Sequence, residues 1–404
     1  MTLSLPAAAT IGADLKTRVL ITAFTFPPKT NGVANAAYVH ARIMQELGCE
    51  VDVITSGETC SRNMENGISV ARFPVTGQGH LLSPSRGAVG ELKAFLEQNR
   101  WDIAFMHCWQ AWNTNVLMTF FASSVRNEKL VLVSHGISTN SDTYPFPLNW
   151  VRRFLWWPYR HFCVPKYLRL LDRLVILWDH IDEDRFLDHK IARGMSVPVT
   201  VIPNVARYDS AAQRRPNLNC TDAELEKGFI LSVGNYSEEK NEAFVLEAYR
   251  LSRRTDMPII FVGHQFNGYS RRLEGLAREW GLTKVQFCER LTKEEIDWLY
   301  ARAVLFLSGS KTECQPLVVL DSLASGTACI STDVGCVRSL GCVWVVATVA
   351  GMAQGIETLL GDAGRRELLA SQGLKLSENE FYLSSTRMKW SNLLSQLAPH
   401  CETE

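Results

Sequence analysis

The sequence has no excess charge of either sign: 42 Lys and Arg stand against 42 Asp and Glu. No global field therefore recruits nucleic acid, and no nucleic-acid partner is expected. There is no run of 18 apolar residues, so no transmembrane helix is expected. The opening, MTLSLPAAATIGADLK, carries no early Lys or Arg and only a weak apolar stretch, unlike a secretory signal. The 11 cysteines include no Cys-x-x-Cys pair. That argues against a zinc ribbon or a redox dithiol, and for free thiols in a reducing compartment. No Gly-x-Gly-x-x-Gly follows the first apolar run, which counts against a dinucleotide oxidoreductase. These absences together predict a protein working in the cytoplasm.

What is present is an alternation. RVLITAFTF (18–26), GVANAAYVHARIMQELGC (32–49) and EVDVITS (50–56) read as strand, helix and strand, the unit of a right-handed parallel crossover. Further apolar runs at 101–107, 129–136, 172–179 and 198–204 suit a parallel sheet covered on both faces. A polar stretch with Pro203 and Pro216 follows, 202–228, and reads as a linker. The pattern then restarts, with strands at 229–235, 258–264, 284–290, 304–310 and 327–333 and helices between them. Two tandem Rossmann-like, doubly wound α/β domains are expected, over 1–205 and 206–380. A terminal amphipathic helix within 381–404 is expected to pack back on the first domain. Such sheets bind ligands beyond the carboxyl ends of their strands, so the cleft between the domains is the expected site.

SGSKTECQPLVVLDSLASG (308–326) carries chemistry in that frame. Pro316 suits the first turn of a helix and Gly326 its end. The free N–H groups near Gln315, Pro316, Leu317 and Val318 favour an anion, phosphate being the usual guest. Glu313 lies just before this helix and Asp321 within it. An acid at a helix start is also an ordinary complement to the dipole. Two hydrogen-bond acceptors flanking an anion site, however, suit a phosphorylated, polyhydroxylated ligand such as a nucleotide sugar.

LSVGNYSEEKN, IIFVGH, VQFCERLTKEEIDWLYARAVLFLSGS and TECQPLVVLDSLASGTACISTDVG, in that order, resemble the C-terminal half of the family 4 glycosyltransferases, retaining enzymes of the GT-B architecture. FTFPPKTNGVANAAYVHARIMQELGCEVDVITSG, SHG and VIPNV are similar to its N-terminal half. The resemblance implies a metal-independent, hexosyltransferase-like enzyme with a nucleotide-diphosphate sugar as donor and no further cofactor. It implies that Glu313 holds donor-sugar hydroxyls, that Asp321 holds the ribose where the family has Glu, and that the backbone at Leu317 and Val318 receives the diphosphate. Lys240 matches the phosphate-binding lysine. Asn235 stands where the family has arginine, and Arg290 and Lys29 are the possible substitutes for that charge. Gly32 would bring its backbone against the donor phosphate, and His135 would lie near the reacting carbon. A nucleotide-sugar epimerase or hydrolase, or a non-catalytic binding protein of the same fold, remains open beside the transferase.

Two further segments draw notice. Asp182–Glu183–Asp184 looks like a metal-binding acid motif but reads better as a solvated helix start. NWVRRFLWWPYRHFCVPKYLRLLDR (149–173) interleaves Trp and Tyr with Arg and Lys, as suits either an anionic membrane surface or rings packed into the first domain with the Arg residues facing water. Pro158 and Pro165 are expected to interrupt any long helix there. The acceptor is expected to be a glycan, a glycolipid or a small molecule.

Overall fold

The computed structural model describes residues 16–29, 31–79, 83–123, 127–137, 148–179, 186–211, 213–218, 225 and 227–398, without the side chains of Leu148, Asn149, Arg152 and Arg153. The first sheet contains β1 (Arg18–Thr22), β2 (Glu50–Ser56), β3 (Ser61–Glu65) and β4 (Ile68–Phe73). A small hairpin, β5 (Val75–Thr76) and β6 (Arg86–Gly87), stands apart from it. The sheet resumes with β7 (Ile103–His107), β8 (Lys129–Ser134), β9 (Arg173–Ile176) and β10 (Val199–Val201). Its order is β10-β9-β8-β7-β1-β2-β4-β3, parallel throughout except for edge strand β3 against β4.

The second sheet contains β11 (Phe229–Val233), β12 (Ile259–Gly263), β13 (Val285–Glu289), β14 (Ala303–Ser308), β15 (Cys329–Thr332) and β16 (Trp344–Val346). Its order is β13-β12-β11-β14-β15-β16, all parallel. Each sheet carries a separate apolar layer on either face. The central strands are therefore buried on both sides, which is why they read as continuous apolar runs rather than alternating ones.

Strand order reverses next to β1 in the first sheet and next to β11 in the second. These are topological switch points, where the loops diverge and leave a crevice. The loops leaving β1, β8, β11 and β14 carry Gly32, His135, Asn235 and Glu313, so the sequence-predicted residues lie at both crevices.

The described part of the 202–228 stretch, read as the linker, is tied down by hydrogen bonds, and one expectation needs correction, that the prolines of the aromatic segment interrupt its helix. Ala206 N–H donates to the Phe381 carbonyl at 2.9 Å and Arg214 N–H to the Glu294 carbonyl at 3.1 Å. Helix also continues through both prolines of the aromatic segment: Leu148–Pro158 runs into a wider π turn, Tyr159–Cys163, and then Val164–Leu168. The wider turn relaxes the i→i−4 pattern that proline would otherwise break. The final helix, Leu383–Leu397, places Trp390, Leu393, Leu394 and Leu397 in an apolar layer of the first sheet.

Candidate functional site

A cleft of about 480 Å³ lies between the domains, at the carboxyl ends of both sheets. Gly32, His135, Asn235, Lys240, Arg290, Glu313, Gln315, Leu317, Val318 and Asp321 all line it. Pro316 does not. It is the N-cap of the short helix Leu317–Ala324, with extended backbone and no side-chain cap. The first N–H groups of that helix therefore have no intrahelical partner and open towards the cleft at Leu317 and Val318. Lys29 is not among the lining residues, whereas Arg290 is. Arg290 also has a left-handed φ of 56°, a conformation costly for a side chain of that size and concentrated at working sites.

Glu313 is held in place by backbone packing. Gly335 has φ +52°, and a Cβ there would lie 2.0 Å from the Cys314 carbonyl oxygen and 2.7 Å from that of Glu313. Only glycine allows this approach. The Glu313 carboxylate accepts from Lys240 Nζ in an ion pair and from Ser310 Oγ at 3.2 Å. Two residues expected to meet different parts of a ligand thus meet each other. The positive φ of Asn241, 57°, and its bond to the Gly309 carbonyl at 3.1 Å fix the backbone after Lys240.

Asp321 does not stand free for a ribose. It is only 3% exposed. One oxygen accepts from the Arg207 backbone N–H at 2.6 Å; the other accepts from the Arg207 guanidinium, through Nε at 3.0 Å and through a second nitrogen. Arg207 comes from the stretch read as linker, and its partner is one methylene shorter than glutamate. Gln315 is likewise committed: its side-chain oxygen accepts from Asn204 N–H at 2.8 Å and its amide donates to the Leu177 carbonyl at 3.1 Å. It ties the C-terminal loop to the end of the first sheet instead of facing a ligand with its polar atoms.

Gly32 begins the first helix, Gly32–Glu46, behind Asn31, whose side chain accepts from Ala34 N–H at 2.8 Å. The protein itself leaves room for a side chain there, since a Cβ would come no nearer than 3.9 Å to Leu317.

His135 follows β8, and the chain turns at Gly136, where φ is +85° and a Cβ would strike the Phe186 ring at 2.3 Å. His135 Nε2 lies 3.1 Å from His107 Nδ1, and His107 Nε2 lies 3.0 Å from His40 Nδ1. Burial holds His135 down to about 4 and His40 to about 3, the latter helped by the charge of His135. His107 is pushed well below the usual range by burial and by both other rings. All three are neutral near pH 7.

Sequence reasoning missed Arg207, Lys293, Asp297 and Asn204, which also line the cleft. It also missed His40 and His107, which lie behind His135. Asn204, Lys293, Asp297 and His40 lie inside segments already singled out, but no spacing within them marks these positions; what brings them to the cleft or behind His135 is tertiary contact. Asp182–Glu183–Asp184 lies outside the described residues, while the neighbouring Asp179 pairs with Arg193 at 2.9 Å.

No curated protein matches the sequence. Among solved structures, sucrose-phosphate synthase from Thermosynechococcus elongatus is similar at 14% identity and TM-score 0.71, over 96% of this chain and 100% of that one. A UDP-forming α,α-trehalose-phosphate synthase from Burkholderia xenovorans is similar at 15% identity and TM-score 0.70, over 95% and 100%. Anabaena HepE, in complex with UDP and glucose, is similar at 15% identity and TM-score 0.65, over 94% and 100%. At such identities the likeness concerns the fold. Family models for Glycosyltransferase Family 4 and for Glycosyl transferases group 1 match residues 30–205 and 217–374 respectively. Adjoining matches to the two halves of one architecture, with two parallel sheets facing one cleft, establish that the chain belongs to the family 4 type of glycosyltransferase and has the GT-B fold.

Proposed function

We propose that the enzyme moves a sugar from a nucleotide-diphosphate donor to an acceptor hydroxyl with retention of configuration and without a metal. One observation carries this reading: the Lys240–Glu313 pair sits in the cleft beside the open start of helix Leu317–Ala324. A donor separates the pair. Its diphosphate takes the ammonium of Lys240 and the N–H groups of Leu317 and Val318, with Arg290 supplying the charge that Asn235 lacks. A sugar hydroxyl takes the carboxylate of Glu313. As the glycosidic C–O bond breaks, negative charge grows on the phosphate oxygens, and these donors favour that state over the ground state. Gly32 keeps the opposite wall open for the phosphate, and His135 faces the sugar. The departing phosphate takes the acceptor's proton.

UDP is the first nucleotide to test, since a similar fold holds it. Wild-type protein at UDP concentrations near 100 times Kd should gain about 2.7 kcal/mol of apparent stability. Lys240→Ala should lose roughly 10²–10³ in transfer rate. Wild-type turnover in that variant would remove Lys240 from the reaction. Isomerised sugar nucleotide instead of transfer would make the enzyme an epimerase.

The acceptor we favour is lipid-linked, its membrane contact being the helix Leu148–Pro158 and the turn after it. Trp150 is 66% exposed, Phe154 69% and Phe162 64%, and the segment 149–173 holds a single acid, Asp172. Among the described residues no helix is long and apolar enough to cross a membrane, so the contact would be peripheral.

A further inference from the structure

We propose that His40 and His107 are positioning residues for His135: the three rings form one hydrogen-bonded chain that dictates which nitrogen of His135 carries its proton at the cleft. The chain draws on three separate elements, the helix Gly32–Glu46, the end of β7 and the turn after β8. Its two links are 3.0 and 3.1 Å long. His40 is clamped from outside, stacked on Trp390 with centroids 3.8 Å apart and edge-on to Phe105 at 4.7 Å. No acidic side chain is hydrogen-bonded to any of the three rings among the described residues.

The counting follows from imidazole chemistry. A neutral ring has one N–H and one lone pair, and each link needs one of each. Only two arrangements satisfy both links. Either all three rings carry the proton on Nε2, or all three carry it on Nδ1. In the first, His135 offers the cleft a lone pair at Nδ1; in the second it offers an N–H.

Passing from the first to the second takes one proton from the cleft at His135 Nδ1. The His135 Nε2 proton moves to His107 Nδ1, the His107 Nε2 proton moves to His40 Nδ1, and the His40 Nε2 proton passes to solvent water through the cavity that ring lines. No ring becomes charged in the completed transfer. His40 Nε2 and Thr386 Oγ1 are both buried without a partner. Both residues line a cavity of about 30 Å³ that adjoins the cleft, sharing Asn35, Leu177, Asn204, Arg207 and Leu317 with it, and has room for one water. Thr386 belongs to the C-terminal helix, so the far end of the chain is set by an element outside the first sheet.

This inference rests on the reading of the cleft as the sugar site, yet its first test needs no sugar. Two-bond ¹H–¹⁵N correlation on ¹⁵N-histidine-labelled full-length protein at pH 7 should find three neutral rings sharing one tautomer. Mixed tautomers or a protonated ring would overturn the chain. The second test compares His40→Phe, which keeps the ring stack, with His40→Asn, which restores a polar partner near Nδ1. His40→Phe should change the His135 nitrogen shifts and lower the transfer rate about tenfold, with donor KM unchanged; His40→Asn should regain most of it. Equal losses in both variants, or unchanged His135 shifts in His40→Phe, would leave His40 a packing residue. Failure of UDP to stabilise the wild type, with the shared tautomer intact, would count against the cleft assignment alone.

Discussion

The two acids that flank the helix start have opposite fates, and partner geometry decides them. Glu313 meets a lysine that can swing away; Asp321 meets an arginine whose backbone and side chain both bind it. A buried carboxylate engaged by a planar fork keeps few lone pairs for a ligand. Removing one member of such a pair strands the other. Asp321→Ala should therefore cost about 3 kcal/mol in urea unfolding. Arg207→Ala combined with it should be clearly less than additive. Full additivity would mean that the two residues act separately. Of these two, Asp321 stood out in the sequence because its spacing from Glu313 matched a motif. Arg207 gave no signal, since an arginine in a polar stretch near prolines looks like any other. The histidine chain was hidden for the same reason: His40 and His107 are 67 residues apart and adjacent only through the crossover.

At the scale of elements, the buried parallel strands were legible because burial on both faces leaves them continuously apolar. β2 begins and ends at the residues its pattern predicts. The edge hairpin of β3 and β4 was not read, although its turn carries a signal. Asn66 and Gly67 have φ values of 52° and 79°, the positive pair that a two-residue hairpin demands and that Asn-Gly supplies. The helix Ala363–Glu380 buries only Gly373 and Ser377 fully, so it has little apolar periodicity to detect. The aromatic segment stood out by composition, but its helical continuity was missed, because a π turn is not encoded by any simple period. Replacing Trp150 and Phe154 by Ser should leave the fold intact, since both point outward, and should reduce binding to phosphatidylserine-containing vesicles. Wild-type binding should weaken as salt rises. Sedimentation that responds to neither lipid charge nor salt would end the membrane reading.

The whole molecule carries a pH signature from its buried rings. A histidine lowered on folding binds fewer protons folded than unfolded between its native value and the usual 6.5, so stability falls as pH drops through that window. His40 at about 3 and His135 at about 4 span it, and His107 acts in the same direction. Glu242 opposes them. Burial lifts it to about 7, so its contribution is present below 4.5 and lost as pH rises through 7. Three histidines against one glutamate leave roughly two protons' worth of slope, or at most about 3 kcal/mol per pH unit near the middle of the window. Urea midpoints measured from pH 7 to pH 5 should fall accordingly, and His40→Phe should flatten the slope. A flat profile in the wild type would show that the rings keep an ordinary affinity for protons in the native state. The two-domain plan itself was legible from the restart of the strand–helix alternation. The pairing of Lys240 with Glu313 was not, because it depends on β11 and β14 lying side by side in the second sheet; nor was the tie from Gln315 to Asn204 and Leu177, which depends on how closely the two halves approach.

That approach has a mechanical side. The chain passes from the first domain to the second near Ala206 and returns near Phe381, and a hydrogen bond of 2.9 Å joins the two passages. Past it, Trp390 and its neighbours are rooted in the first domain while Phe381 is rooted in the second. A body hung from another by two adjoining straps swings about the line they share and resists twisting across it. Opening and shutting of the jaws is thereby reduced to nearly one degree of freedom.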